Sequence, residues 1–337
     1  LKLKKDTRRP AELMEKYLLS LPGQIRHGFE LGTGCSFPAS YKKVKNVIFC
    51  GVGGSAIGGD IIGELMNAES PVPFSVNRIS CLPAWVGKDT LAIFSSYSGN
   101  TAETQAAFHA AEETGAKMFV LTSGGSLLEK AKARRIPHLV IPGNIPPRCA
   151  IGYLTVSLLP VLAAEKWISF PRSQMEKICS AVSLPPKKEA QKIARLLKGK
   201  NVFLYANDQY FSPVVKRWRA QLAENAKTIA SYHLFPEMLH NEIEGWKFPS
   251  GFPKKSVAVF IQDPGCSPKI KSKLTAARNL IRSQGATVIE VDAPSGSLLS
   301  RIFSLASLGD WVSYELAKII GVDPVGIPNI ENIKNNY

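Results

Sequence analysis

The sequence predicts an α/β chain made of two halves, each a parallel β-sheet flanked by helices. Three observations predict it. Short apolar runs alternate with helical patterns along most of the chain, as strands joined by crossover helices do. The runs are continuously hydrophobic rather than alternating, which suits strands buried on both faces. The pattern pauses after residue 167 and restarts at residue 201.

Taken in order, "NVIFC" (46–50) is the first strand, followed by the glycine-rich stretch "GVGGSAIGGD" and a helix. "PFSVNR" (73–78), "TLAIFSS" (90–96), "KMFVLTS" (117–123) and "PHLVIP" (137–142) are the next strands. Helices are expected over "AETQAAFHAAEET", over "GSLLEKAKARR", and as one long apolar helix near 148–166. From Trp167 to Lys200 the chain is helical and rich in Lys, Pro and Ser, and "SLPPKKEAQKIARLLKGKN" has the character of a connecting helix. The second half repeats the plan with strands at 201–207, in "KTIASYHLF", at 256–262 and at 286–292. Its helices fall near 211–226, over "KIKSKLTAARNLIRSQ" and from about 297 to 320. The expected division is a first domain at 1–170, a connecting segment at 171–200 and a second domain at 201–337.

Composition narrows the function classes. At 337 residues there is room for two domains. No run approaches the roughly 20 apolar residues of a membrane span. The N-terminal "LKLKKDTRRP" is basic and leads into the amphipathic "AELMEKYLLSL"; it has neither the apolar core nor the cleavage site of a signal peptide. The net charge is +15, but the basic residues are spread over helical faces, and no zinc finger, basic zipper or RNA-binding aromatic motif accompanies them. A nucleic-acid partner is therefore not expected. The same charge would help to gather an anionic substrate. The six cysteines are scattered without a CxxC pair, which fits small buried hydrophobes in a reducing cytoplasm and supplies no zinc site.

The junction "SSYSGNT" (95–101) runs from a strand into a helix. One hydroxyl there would cap the helix. Ser96, Ser98 and Thr101 around Gly99 exceed what a cap needs. A helix N-terminus offers unpaired N–H groups and partial positive charge to a phosphate, and glycine lets the backbone approach it. The expectation is a phosphate cradle, with capping as a by-product. It is not a Walker loop, because no Gly-Lys-Ser/Thr follows. "GVGGSAIGG" has near-Rossmann spacing, but the following strand "PFSVNRIS" lacks the acidic residue that a dinucleotide ribose requires. Gly53, Gly54 and Ser55 are instead expected to present backbone N–H groups to sugar or phosphate oxygens. No redox cofactor is expected.

"GVGGSAIGGD", "SSYSGNTAET", "PPRCAIGY" and "FPEMLHNEIEGW" resemble, in the same order, signatures of the bifunctional phosphoglucose/phosphomannose isomerases. These have two sugar-isomerase (SIS) domains of flavodoxin-like plan. The resemblance runs from "SLPGQI" (20–25) to "DPVGIPNIENIK" (323–334). Ala102 replaces a Glu common in the family, and the loop at 294–302 has no clear counterpart.

The resemblance implies interconversion of glucose 6-phosphate and mannose 6-phosphate with fructose 6-phosphate through an enediol. Glu224 in "QLAENAK" matches the family's base, a role for which a carboxylate is suitable. His240 in "MLHNEIEGW" matches the ring-opening acid/base, and imidazole can both give and take a proton near neutrality. In the family this histidine comes from the neighbouring subunit, which implies a homodimer. Arg148 in "PPRCAIGY" matches the arginine that stabilises the enediolate. Lys334 aligns with a lysine near the sugar ring. No metal is implied. Two other readings share the phosphate loop. A phosphosugar-sensing regulator would add a DNA-binding segment and would not need Glu224 or His240. An amino-sugar isomerase would add an ammonia-generating or lid element.

Overall fold

The apolar runs become strands where the sequence places them. A computed structural model of the chain describes residues 8–41 and 43–336. It begins with α1 (Arg8–Leu19), the amphipathic segment. The chain divides into two compact units. The first gathers residues 20–183 with 297–300, and the second gathers 8–19, 184–296 and 301–336.

In the first unit, α2 (Leu21–Thr33) leads to β1 (Asn46–Cys50), α3 (Gly54–Glu69), β2 (Phe74–Asn77) and β3 (Thr90–Ser96). Next come α4 (Ala102–Thr114), β4 (Lys117–Thr122), α5 (Gly125–Ala133) and β5 (His138–Val140). The strands pair in parallel in the order β2-β1-β3-β4-β5. Strand order reverses between β1 and β3, and ligands of open α/β sheets bind outside the carboxyl ends of strands at such a point. Central β3 is buried at every residue. Phe94 on it meets Phe108 of α4 edge-on, with ring centroids 5.2 Å apart.

The apolar stretch 148–166, expected to be one long helix, is broken. A 3₁₀ turn (Pro147–Cys149), α6 (Ile151–Val156) and α7 (Leu159–Ala164) replace it. Pro160 has no N–H for the Val156 carbonyl and its ring crowds that oxygen, so α6 stops at Val156. Helix α2 packs into the break so closely that a Cβ on Gly32 would lie 2.2 Å from the Ser157 carbonyl oxygen. Helix α8 (Arg172–Ala181) packs on α2.

The second unit contains α9 (Lys187–Leu197), β6 (Asn201–Asn207), α10 (Asp208–Ala226), β7 (Ala230–Phe235) and β8 (Ser256–Gln262). It continues with α11 (Pro268–Ser283), β9 (Thr287–Asp292), most of α12 (Leu298–Ile320) and α13 (Pro328–Asn336). Its parallel order, β7-β6-β8-β9, repeats that of the first four strands of the other sheet. Gln209 and Tyr210 depart from helical geometry, so α10 is regular only from Phe211, where the sequence places its start. Helices α10 and α12 are held together by buried polar contacts. Trp218 Nε1 donates to the Leu305 carbonyl at 2.7 Å. Arg217 pairs with Asp310 at 2.7 Å with both side chains buried, and Gln221 Nε2 donates to the same carboxylate at 2.8 Å. Burial pushes the Asp310 carboxyl upward in pKa, and Arg217 counteracts it.

Candidate active site

The loop from β3 to α4 turns at Gly99, whose φ is +69°. A Cβ there would lie 1.9 Å from the Gly124 carbonyl oxygen, so glycine is required for the approach as well as the conformation. The start of α5 clamps this loop. Leu127 N–H donates to the Gly99 carbonyl at 3.0 Å, and Ser126 N–H donates to Asn100 Oδ1 at 3.0 Å.

Ser96 and Thr101 face one another across the loop, with hydroxyl oxygens 2.9 Å apart. The Thr101 side chain makes no capping bond to α4, which corrects the expectation of capping as a by-product. The hydroxyl is turned to Ser96 instead. Ser98 is exposed, and its hydroxyl accepts from Asn100 N–H at 3.2 Å. Three hydroxyls thus stand at the N-terminus of a 13-residue helix, a setting that favours an anion.

The loop from β1 to α3 adjoins this one. Gly51 packs so that a Cβ would be 2.9 Å from the Ser95 carbonyl oxygen. Ser55 is buried, and its hydroxyl accepts from Tyr97 N–H at 3.2 Å, so that side chain clips the two loops together. Gly53 is exposed with φ +58°. A Cβ on Gly54 would lie 2.8 Å from the Pro147 carbonyl oxygen and 3.3 Å from Arg148 N. The glycine loop therefore rests on the turn that carries Arg148, which is only 5% exposed. From α2, Gln24 holds the far side of that turn. Its Nε2 donates to the Cys149 carbonyl at 2.8 Å, and its Oε1 accepts from Gly152 N–H at 3.2 Å. The segments bearing Gly53, Gly54, Ser55, Ser96, Ser98, Thr101 and Arg148 are neighbours in the first unit. Sequence reasoning misses Gln24, because a single glutamine far along the chain from its partners carries no motif.

In the second unit Glu224 lies in the last turn of α10, half-buried. It borders a cavity of about 470 Å³ whose walls include Lys227, Ile229, Pro328 and Ile330. Two other residues of "QLAEN" anchor the helix. Gln221 reaches Asp310 as above, and Asn225 Nδ2 donates to Ser313 Oγ at 2.9 Å. Lys227 ends the helix in a left-handed conformation, φ +53°. Its ammonium donates to the Glu224 carbonyl and, at 2.6 Å, to the Gly326 carbonyl, tying α10 to the approach to α13. Lys334 is exposed on α13. His240 is exposed at the end of a 3₁₀ turn (Glu237–His240) after β7, in which Met238 is buried. It is not among the residues lining the Glu224 cavity.

Among the described residues, no group of three or more His, Cys, Asp or Glu side chains is placed to hold a metal ion. No helix among them is long and apolar enough to cross a membrane. Cys50, Cys149 and Cys179 are buried, while Cys81 is exposed; burial pushes the Cys50 thiol pKa up to about 12.

Residues 186–336 match the bacterial phospho-glucose isomerase C-terminal SIS domain. The chain is 32% identical to the bifunctional phosphoglucose/phosphomannose isomerase of Caldicellulosiruptor bescii over 332 residues, 96% of this chain and 98% of that relative. It is 30% identical to the enzyme of the same name from Aquifex aeolicus, covering 86% of this chain and 89% of that one. The fold is similar to that of a hypothetical protein from Thermus thermophilus, with a TM-score of 0.74 at 18% identity over 98% of this chain and 90% of that one. With the four motifs in order along nearly its whole length, this chain belongs to the bifunctional phosphoglucose/phosphomannose isomerase family.

Proposed function

We propose that the protein is an aldose–ketose isomerase that interconverts glucose 6-phosphate and mannose 6-phosphate with fructose 6-phosphate through an enediol. One observation carries the reading beyond family membership. A hydroxyl-lined loop at a helix N-terminus is clipped by Ser55 to a glycine loop, and that glycine loop lies against the turn of a buried arginine. That arrangement supports assigning anion binding and stabilisation of developing negative charge to one region.

In this reading Ser96, Ser98, Thr101 and the first N–H groups of α4 hold the 6-phosphate. Gly53 and Gly54 offer backbone N–H groups to the sugar, while the Ser55 hydroxyl keeps the loops in register. Glu224 removes the C2 proton of the open-chain aldose, and the carbonyl electrons move to O1. Arg148 stabilises that oxygen; guanidinium remains charged when buried, and a fixed charge needs no reorganisation during reaction. Transfer of the O2 hydroxyl proton to O1, with return of the carbon-bound proton from Glu224 to C1, gives the ketose. Glucose and mannose derivatives differ only at C2 and share the enediol, so one set of residues serves both. His240, contributed by the neighbouring copy of a homodimer, opens the ring, and Lys334 lies near it. The net charge of +15 favours capture of a sugar phosphate. The buried cysteines fit a reducing cytoplasm.

The test is fructose 6-phosphate formation from each aldose by purified protein, alongside Glu224→Gln. Gln keeps shape and polarity but cannot take the proton. Binding should persist while kcat falls by at least about 10²-fold. Absence of product from both aldoses would overturn the proposal. Near-wild-type turnover of the variant would remove Glu224 from its role. Activity should survive dialysis against a strong chelator; loss restored by Zn²⁺ would overturn the metal-free route.

A further inference from the structure

The turn that carries His240 is anchored by a polar cluster that joins Glu242 and Trp246 of the same motif to Tyr205 and His233 of the preceding strands. Tyr205 of β6 and His233 of β7 are register partners on adjacent strands. Both reach the same carboxylate, that of Glu242, two residues beyond His240. Tyr205 Oη donates to Glu242 Oε1 at 2.6 Å, while His233 Nδ1 lies 2.8 Å from Oε2 as an ion-pair contact without hydrogen-bond geometry. Trp246 Nε1 donates to Tyr205 Oη at 3.1 Å. Tyr205 is fully buried and Trp246 is 3% exposed. Burial, reinforced by the charge of Glu242, holds the Tyr205 phenol well above its ordinary pKa, so it remains a donor.

Asn241 transmits this anchorage to the histidine turn. Its Oδ1 accepts from Glu242 N–H at 2.6 Å, and its Nδ2 donates to Glu237 Oε1 at 2.8 Å. The 3₁₀ turn Glu237–His240 is thus stapled to the turn Glu242–Lys247. Phe203 and Phe252 pack about the Trp246 ring, with centroids 5.1 and 6.5 Å away. Glu242 lines a separate cavity of about 520 Å³ with His233, Asn241 and Trp246.

We propose that Glu242, held by the Tyr205 hydrogen bond with His233 beside it, is a positioning residue that fixes the backbone of the His240 turn. This inference rests on the isomerase reading. It separates two chemical steps: His240 moves a proton at the ring oxygen, whereas Glu224 moves protons between C1 and C2. Loss of the anchor should slow ring opening and leave exchange on an open-chain ketose intact.

The probe is 5-deoxyfructose 6-phosphate. It lacks the C5 hydroxyl, its O6 is esterified, and closure through O4 would give a four-membered ring, so it stays acyclic. Turnover of fructose 6-phosphate is measured beside solvent deuterium uptake at C1 of the 5-deoxy ketose. Glu242→Ala should lower kcat on fructose 6-phosphate by about ten-fold or more, as displaced catalytic groups do. KM should change little, and uptake on the acyclic ketose should stay within about two-fold of wild type. Glu242→Gln should restore most of the turnover, because its amide oxygen accepts from Tyr205. Tyr205→Phe keeps the ring in the core and gives the same test if Glu242→Ala does not fold. Equal loss on both substrates would show general damage and overturn the positioning role, as would unchanged turnover. A wild-type protein inert towards both would overturn the isomerase reading itself.

Discussion

Gly54→Ala tests whether the glycine loop sets the position of Arg148. The added Cβ would sit 2.8 Å from the Pro147 carbonyl oxygen, 3.1 Å from its carbon and 3.3 Å from Arg148 N. All three are backbone atoms, so no rotamer change relieves them. Ordinary contact begins at 3.4 Å, and the turn must therefore move by about 0.6 Å (3.4 − 2.8). The turn is also restrained by the Gln24 bonds to Cys149 and Gly152. Overpacking costs about 1–3 kcal/mol. The better helix propensity of alanine at the start of α3 returns up to about 1 kcal/mol, leaving a net loss of about 0–2 kcal/mol. The catalytic effect should be larger in proportion. A 1 Å misplacement can cost about 10²-fold, so about 0.6 Å should cost about ten-fold in kcat. Gly63→Ala, on the same helix, is the control. Its Cβ would meet only the edge of the Phe74 ring at 3.2 Å, and kcat should hold. The assay is steady-state isomerisation with urea unfolding of each variant. If Gly54→Ala lost stability but kept wild-type kcat, the placement of Arg148 would not govern the reaction.

Thr101→Val with Ser98→Ala removes two hydroxyls without removing a helix cap. Calorimetric affinity for a phosphorylated sugar acid should fall about ten- to a hundred-fold per lost bond to charge, with little change in Tm; unchanged affinity with a large Tm drop would make the hydroxyls structural. Lys227→Met removes the ties to the Glu224 and Gly326 carbonyls, so kcat should fall and limited proteolysis should release the α13 segment sooner; an unaltered digestion pattern would sink that role. Arg217→Met leaves Asp310 buried beside Gln221 without its cation, and urea unfolding should show a loss of about 3–5 kcal/mol; a loss within experimental scatter would mean the pair contributes nothing.

The strands are legible because their signal is local. The runs at 90–96, 201–207 and 256–262 give β3, β6 and β8 with those limits, since continuous burial writes itself as continuous hydrophobicity. The edge strand β5 is shorter than its apolar run, three residues at His138–Val140, because it has a partner on one side only. The break at Val156 escapes a reading by pattern, although Pro160 stands in plain view, because the surrounding Leu, Val and Ala form so strong an apolar run. The hydroxyl-rich loop at 95–101 can be read as a motif, yet the partner of the Thr101 hydroxyl cannot. Helix capping and a cross-loop bond to Ser96 are alternatives that only the backbone path separates. Gln24, Tyr205 and His233, and the partners of Glu242, are illegible for a related reason. Their partners are distant in sequence, and a lone polar residue does not announce which one it meets.

The two sheets share a strand order, but the loops at corresponding strand ends differ in charge and in hydroxyl content. After β3 the first unit supplies Ser96, Ser98 and Thr101. After β8, the corresponding strand of the second unit, the chain supplies Asp263. Its Oδ1 accepts from Gly265 N–H at 2.8 Å, and its Oδ2 pairs with Arg301 at 2.7 Å. A carboxylate there repels a phosphate dianion, and Arg301 is already engaged with it. The loop after β7, by contrast, carries the anchored turn with His240, and the end of α10 carries Glu224. Under the proposed reading, the repeated fold keeps its sheet and reassigns its edges. The first unit grips the dianion and steadies negative charge, while the second handles protons. That assignment has a kinetic signature. Substitutions at 98 and 101 should act mainly on the affinity of phosphorylated ligands. Those at Glu224 and Glu242 should act mainly on kcat, because groups that work only as the proton moves contribute little to ground-state binding.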